Sequence, residues 1–191
     1  MANFKIDHFV FGAKTLNEGS KAIKNILDED LSEINVHKTM GTHNRVISLG
    51  SCYLEVISLD PKNKNANNTW FNLNDKNYRE KFLKIPKLIS FVISSKELNS
   101  SIFFEKEFLV SRNKYKWNFQ KPNFEYLNKI NFRNLNLFPS LINWKTISPL
   151  NEMKKSSYIF ESLEIILNKN HKILNDFLLS LNLKEKIIIN T

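Results

Sequence analysis

One cysteine, four glycines and four arginines among 191 residues are the scarcities of this chain. With Cys52 alone, an intramolecular disulfide is impossible and a zinc cage of thiolates is excluded. Cys52 reads as a small buried apolar residue at the start of a strand. No apolar run approaches the roughly 20 residues that span a bilayer, so no membrane partner is expected. The N-terminus has no long apolar segment followed by a small-residue cleavage site, so the reading is of a cytoplasmic protein. The net charge of +9 raises nucleic acid as a partner. Lysine outnumbers arginine 24 to 4, however, and the lysines are scattered through every segment. Arginine is the better bidentate reader of phosphates and bases, so its scarcity argues against nucleic acid. The few glycines, with abundant lysine, asparagine and isoleucine, fit a codon bias instead.

What is present is a chain with a core. Hydrophobic residues make up 42%, too many for a disordered protein. Phe4 to Phe11 is apolar and β-rich. Thr15 and Glu18 have the spacing of a capping box, and Leu16, Ile23, Ile26 and Leu27 recur at helical intervals, which predicts a helix over 16–29. Strands are predicted over 34–40, 44–49 and 52–59, with a turn at Gly50-Ser51 and a stop at Asp60-Pro61. Residues 61–77 read as a polar loop around Trp70 and Phe71, followed by a short helix over 75–84.

The pattern then repeats. Leu88 to Ile93 can be laid on Ile6 to Phe11, with Ser90 falling on His8. Ser94 and Glu97 again have capping-box spacing, predicting a helix over 96–109, and strands are predicted over 115–120, 126–134 and 139–145. The tail adds a strand over 158–167, a helical stripe of Ile173, Leu174, Phe177, Leu178 and Leu181, and a last strand at Ile187–Ile189. The fold expected is α+β: paired βαβββ modules with a partial third βα unit. Their spans are 1–62 and 87–150, with a connecting loop and short helix over 63–86. A βαβ extension over 151–191 would pack on the same domain.

Chemistry concentrates early. Gly41-Thr42-His43-Asn44 lies between apolar β-type runs, and Tyr53-Leu54-Glu55 follows. With Ile6-Asp7-His8, these residues suggest one small-molecule or metal pocket built by neighbouring strands. A neutral imidazole at His8 would suit zinc, nickel or iron. Glu55, facing inward between Leu54 and Val56, would need a partner such as His8, His43 or a cation. Asn44 could bond substrate oxygens, and Trp144 is the choice for a pocket wall. Trp70 and Trp117 read as packing or mouth residues, and alternation turns Arg45 away from Asn44. His37 and His171, flanked by polar residues, read as solvated.

The repeated order resembles the vicinal oxygen chelate superfamily of glyoxalases, extradiol dioxygenases and bleomycin resistance proteins. The closest likeness is to its glyoxalase-like domain branch. Asp7-His8, Gly41-Thr42-His43-Asn44, Tyr53-Leu54-Glu55, Asp60-Pro61 and Pro139-Ser-Leu-Ile-Asn-Trp144 carry the resemblance. It implies two half-barrel modules enclosing a cleft, with metal ligands on the first and last strand of each. His8 and Glu55 would hold two ligand positions, and Ser90 and Asn143 would stand at the other two. Serine is a poor ligand, and asparagine offers a neutral oxygen at best. The function implied is that of a lyase, isomerase or dioxygenase. A divalent metal (zinc, nickel, iron or manganese) would polarise a substrate oxygen, and His43 would serve as a base or further ligand. The alternative is a metal-free protein that binds or sequesters a small molecule, as bleomycin resistance proteins do. Relatives often pair subunits, which implies a homodimer.

Overall fold

Thr15 starts the first helix. Its hydroxyl accepts from the Glu18 amide at 3.2 Å while Glu18 caps the Thr15 amide, so two exposed donors are satisfied reciprocally. In the computed structural model this helix is α1 (Leu16–Leu27), and it follows β1 (Lys5–Gly12). The structure describes residues 4–63, 69–98, 101–132, 135–167, 171–183 and 185–190. α1 ends where Asp28 turns left-handed (φ 49°). The chain continues through β2 (Asn35–His37), β3 (Thr42–Ser48) and β4 (Tyr53–Leu59). Gly41 (φ 59°) and Gly50 (φ 77°) take the left-handed turns that bound β3. A π-type turn at Tyr78–Phe82 stands within the predicted short helix.

The second half runs β5 (Lys87–Ser94), β6 (Phe108–Arg112), β7 (Tyr115–Gln120), α2 (Phe124–Lys129) and β8 (Ser140–Trp144). It ends with β9 (Ser162–Ile166), α3 (His171–Leu181) and β10 (Lys186–Asn190). The strand order is β2-β3-β4-β1 in the first half and β5-β8-β7-β6 in the second. The repeat is visible in the pairing. β4 runs parallel to β1 and antiparallel to β3, which is antiparallel to β2. Likewise β8 runs parallel to β5 and antiparallel to β7, which is antiparallel to β6. β9 and β10 form a separate parallel pair joined through α3, the partial third unit. The α+β class and the paired modules are as expected.

Two elements differ. No helix stands between β5 and β6 among the described residues; positions 99 and 100 of the predicted 96–109 helix lie outside them. Ser95 and Ser101 instead accept from the amides of Glu97 (3.2 Å) and Phe103 (3.3 Å), closing local turns that compete with a helix. Phe103 and Phe104 then pack against Phe138 and Phe177. The predicted strand over 126–134 is also absent among the described residues; positions 133 and 134 lie outside them. Helix α2 takes 126–129 instead, opened by Asn123, whose side chain accepts from the Tyr126 amide at 3.0 Å.

The contacts divide the chain into two compact units, one of residues 8–89 with 153–159, the other of residues 1–7, 90–152 and 160–191. In the first unit, α1 packs Leu16 and Ile23 on Val56 of β4, with Phe11, Leu27, Leu31 and Leu54 around them. Gly19 permits that approach: a Cβ there would lie 2.6 Å from Val56 and 2.8 Å from Ala13. The late segment 153–159 returns to this unit. Ser156 donates to the Ser48 carbonyl, the Ser157 amide to Glu29 (2.7 Å) and the Tyr158 hydroxyl to the Leu27 carbonyl (2.6 Å). Ile159 lies over Gly50. In the second unit, Phe138 and Phe177 (4.7 Å between rings) centre an aromatic core with Phe132. No helix among the described residues is long and apolar enough to cross a membrane.

Candidate functional site

Register decides which side chains meet. Across β1 and β4, His8 stands opposite Tyr53 and Val10 opposite Glu55. Across β3 and β4, Val46 stands opposite Glu55 and Asn44 opposite Ile57. Partners in register share a face, as do residues two apart on a strand. His8, Tyr53, Glu55 and Asn44 therefore lie on one face of the first unit. His8 Nε2 is 3.7 Å from Glu55 Oε2. The Asn44 amide nitrogen donates a short hydrogen bond to Glu55 Oε1. The His8 ring stacks on Tyr53, with centroids 4.7 Å apart and planes 17° from parallel.

All three polar residues are nearly buried: His8 and Glu55 are 6% exposed and Asn44 3%. A buried carboxylate is costly unless it is paired. Asn44 binds one oxygen of Glu55, and the other is left facing the imidazole. That separation is too long for a direct hydrogen bond. It matches two donor atoms each about 2.1 Å from one ion, seen at an open angle. His8 Nε2 and Glu55 Oε2 are the two groups on this face that could hold a divalent cation. No cluster of three or more His, Cys, Asp or Glu occurs among the described residues.

His43 does not join this group. It stands opposite Ser58, on the other face of β3, and its Nε2 lies 2.7 Å from the Ser58 oxygen. Burial pushes its pKa below the usual imidazole value, with Asp60 nearby opposing in part. The expected convergence of His43 with His8 and Glu55 is thus corrected by simple alternation: His43 and Asn44 are neighbours in sequence and face opposite ways. Arg45 also points away from Asn44 and donates to the Ser32 carbonyl at 2.9 Å.

His37 is the residue that sequence reasoning misplaced. It is 8% exposed, not solvated. Its Nδ1 lies 3.0 Å from the Thr42 hydroxyl, and its ring meets Trp70 edge-on at 6.4 Å. Because His37 pairs with Thr42, it shares the face of Asn44. The available signal was the turn at Lys38–Gly41, which folds β2 back on β3. The side chain of His171 lies outside the described residues.

The remaining candidates belong to the second unit. The β5–β8 register sets Val92 opposite Ser140 and Ser94 opposite Ile142. Ser90 and Trp144 therefore share one face, and Asn143 lies on the other. The expected pairing of Ser90 with Asn143 as ligand positions is corrected for the same reason as His43. Ser90 donates to the adjacent Phe91 carbonyl at 3.4 Å, and the Asn143 amide donates to the Lys96 carbonyl. Trp144 donates to Asp7 at 2.8 Å and packs against Trp117 at 5.2 Å.

The family model of the glyoxalase-like domain matches residues 6–172. A search of the curated proteins finds no significant match. Among solved structures, a hypothetical protein from Staphylococcus aureus superposes with a TM-score of 0.58 at 14% identity, covering 92% of this chain and 74% of that one. A hypothetical protein from Bacillus halodurans C-125 gives 0.51 at 9% identity, covering 75% and 96%. Methylmalonyl-CoA epimerase from Mycobacterium tuberculosis gives 0.46 at 10% identity, covering 78% and 91%. With residues 6–172 matched and its strands paired as a repeated module, the chain belongs to the glyoxalase-like domain family.

Proposed function

We propose that the face carrying His8, Glu55 and Asn44 binds a small molecule and acts on it as an enzyme of the lyase, isomerase or dioxygenase kind. The observation that supports this reading is the nearly buried His8–Glu55 pair, with one carboxylate oxygen tied to Asn44 and the other free toward the imidazole. A carboxylate so held is oriented to take or return a proton on a molecule placed against Oε2. The stack on Tyr53 fixes the imidazole plane, so Nε2 meets the same molecule from a set direction. A divalent cation bound by His8 Nε2 and Glu55 Oε2 would supply Lewis-acid polarisation of a substrate oxygen.

Metal analysis and thermal shift test the reading. A divalent ion is expected to stabilise the protein and to lose that effect in His8→Ala and Glu55→Gln. No ion bound under any loading, together with small-molecule binding unchanged in both variants, overturns it.

A second reading, a metal-free binding or sequestering protein, is favoured by the local backbone bonds of Ser90 and Asn143. It predicts stabilisation by organic compounds alone.

A further inference from the structure

We infer that Asn44 determines specificity on this face: its side-chain oxygen selects ligands that present a hydroxyl or N–H donor. The inference rests on the small-molecule reading above and names the chemistry that the site would accept.

The Asn44 amide nitrogen is committed to Glu55 Oε1. A carboxylate oxygen accepts hydrogen bonds, so turning the amide over would set acceptor against acceptor. The orientation is therefore dictated by Glu55, and the oxygen is what Asn44 shows to its surroundings. That oxygen is buried and has no hydrogen-bond partner among the described residues, in a residue only 3% exposed. A buried orphan acceptor is uncommon in a folded protein and calls for a reason.

The neighbours on the face offer no local remedy. Val46 follows on the same strand face and Ile57 stands opposite, both apolar. The Thr42 hydroxyl is already engaged with His37. The second oxygen of Glu55 is another acceptor on the same face. An unpaired acceptor oxygen welcomes a hydroxyl, an amide N–H or an amine and repels a carbonyl, an ether or a carboxylate placed against it. A ligand donor at Asn44 would complete the bond that the folded chain leaves open.

The test uses matched small probes that differ only in a capped hydroxyl: glycolate against methoxyacetate, and catechol against 1,2-dimethoxybenzene. Binding is followed by NMR titration of the nitrogen-labelled full chain, reading the Asn44 side-chain amide and the backbone at Tyr53 and Glu55. The hydroxyl member of at least one pair is expected to bind about tenfold more tightly than its methylated partner. In Asn44→Leu the ratio falls to about twofold or less. Equal binding within both pairs overturns the inference, and so does a ratio that survives in Asn44→Leu. If the probes bind equally and Glu55→Gln abolishes both, the site stands and only the role of Asn44 falls. If no probe perturbs this face, the inference and the small-molecule reading fall together. Should Asn44→Leu fail to fold, the ratio in the unaltered protein still decides.

Discussion

His43 sets a pH dependence that can be read without any ligand. Its burial depresses the imidazole pKa in the folded chain, so below the ordinary value of 6.5 the unfolded chain takes up a proton more readily than the folded one. The stabilisation is whole above that value and drains away as pH falls through the folded pKa. Ser58 and Asp60 are the groups that face it. The melting temperature is expected to fall more steeply from pH 7.5 to 5 than that of His43→Gln, followed by scanning fluorimetry at fixed salt. Parallel profiles would contradict the assignment. At this scale the sequence was half legible. His8 and Glu55 meet because they sit on adjacent parallel strands, a pairing that the resemblance implied and the register shows. His43 falls on the face opposite Asn44 by alternation, and His37 is buried because β2 pairs with β3, a pairing that its polar flanks do not reveal.

Helix α1 was legible to within two residues, since the capping box at Thr15 and the spacing of Leu16 and Ile23 agree on it, though Ile26 of the stripe is exposed. Gly19 within it exposes a conflict whose outcome magnitudes decide. Alanine in a helix interior is favoured over glycine by about 1 kcal/mol. Overpacking costs about 1–3 kcal/mol. A new Cβ at 2.6 Å from Val56 and 2.8 Å from the Ala13 Cβ meets a stiff β-branched side chain and an atom fixed to the backbone. The clash is expected to win, so Gly19→Ala loses about 1 kcal/mol or more in urea denaturation. Asn25→Ala, on the exposed side of the same helix, is expected to be neutral or stabilising. Equal behaviour of the two variants would show that α1 does not lie tightly on β4. The 96–109 helix failed for a contrasting reason. Its capping signal was genuine in spacing, but Phe103 and Phe104 pack in the aromatic cluster around Phe138 instead. Such long-range packing is invisible in a local window.

At the scale of the molecule, the duplicated strand order was legible because two apolar runs, at 6–11 and 88–93, could be superposed. The occupants of the second copy were not, since Ser90 and Asn143 carry no signal of their own. The charge of +9 belongs to this scale as well. Scattered lysines should give only diffuse attraction to polyanions, so filter binding to DNA at low salt is expected to vanish near 0.15 M salt without sequence preference. Tight, sequence-selective binding at that salt would refute this. The segment 153–159 has a consequence for biosynthesis. Ser156 reaches a carbonyl 108 positions earlier, and its neighbours clasp Glu29, Leu27 and Gly50. The first module to leave the ribosome thus waits for a buckle that is translated late, and a gene shortened after Glu152 would encode a hairpin tip and helix end without these three bonds.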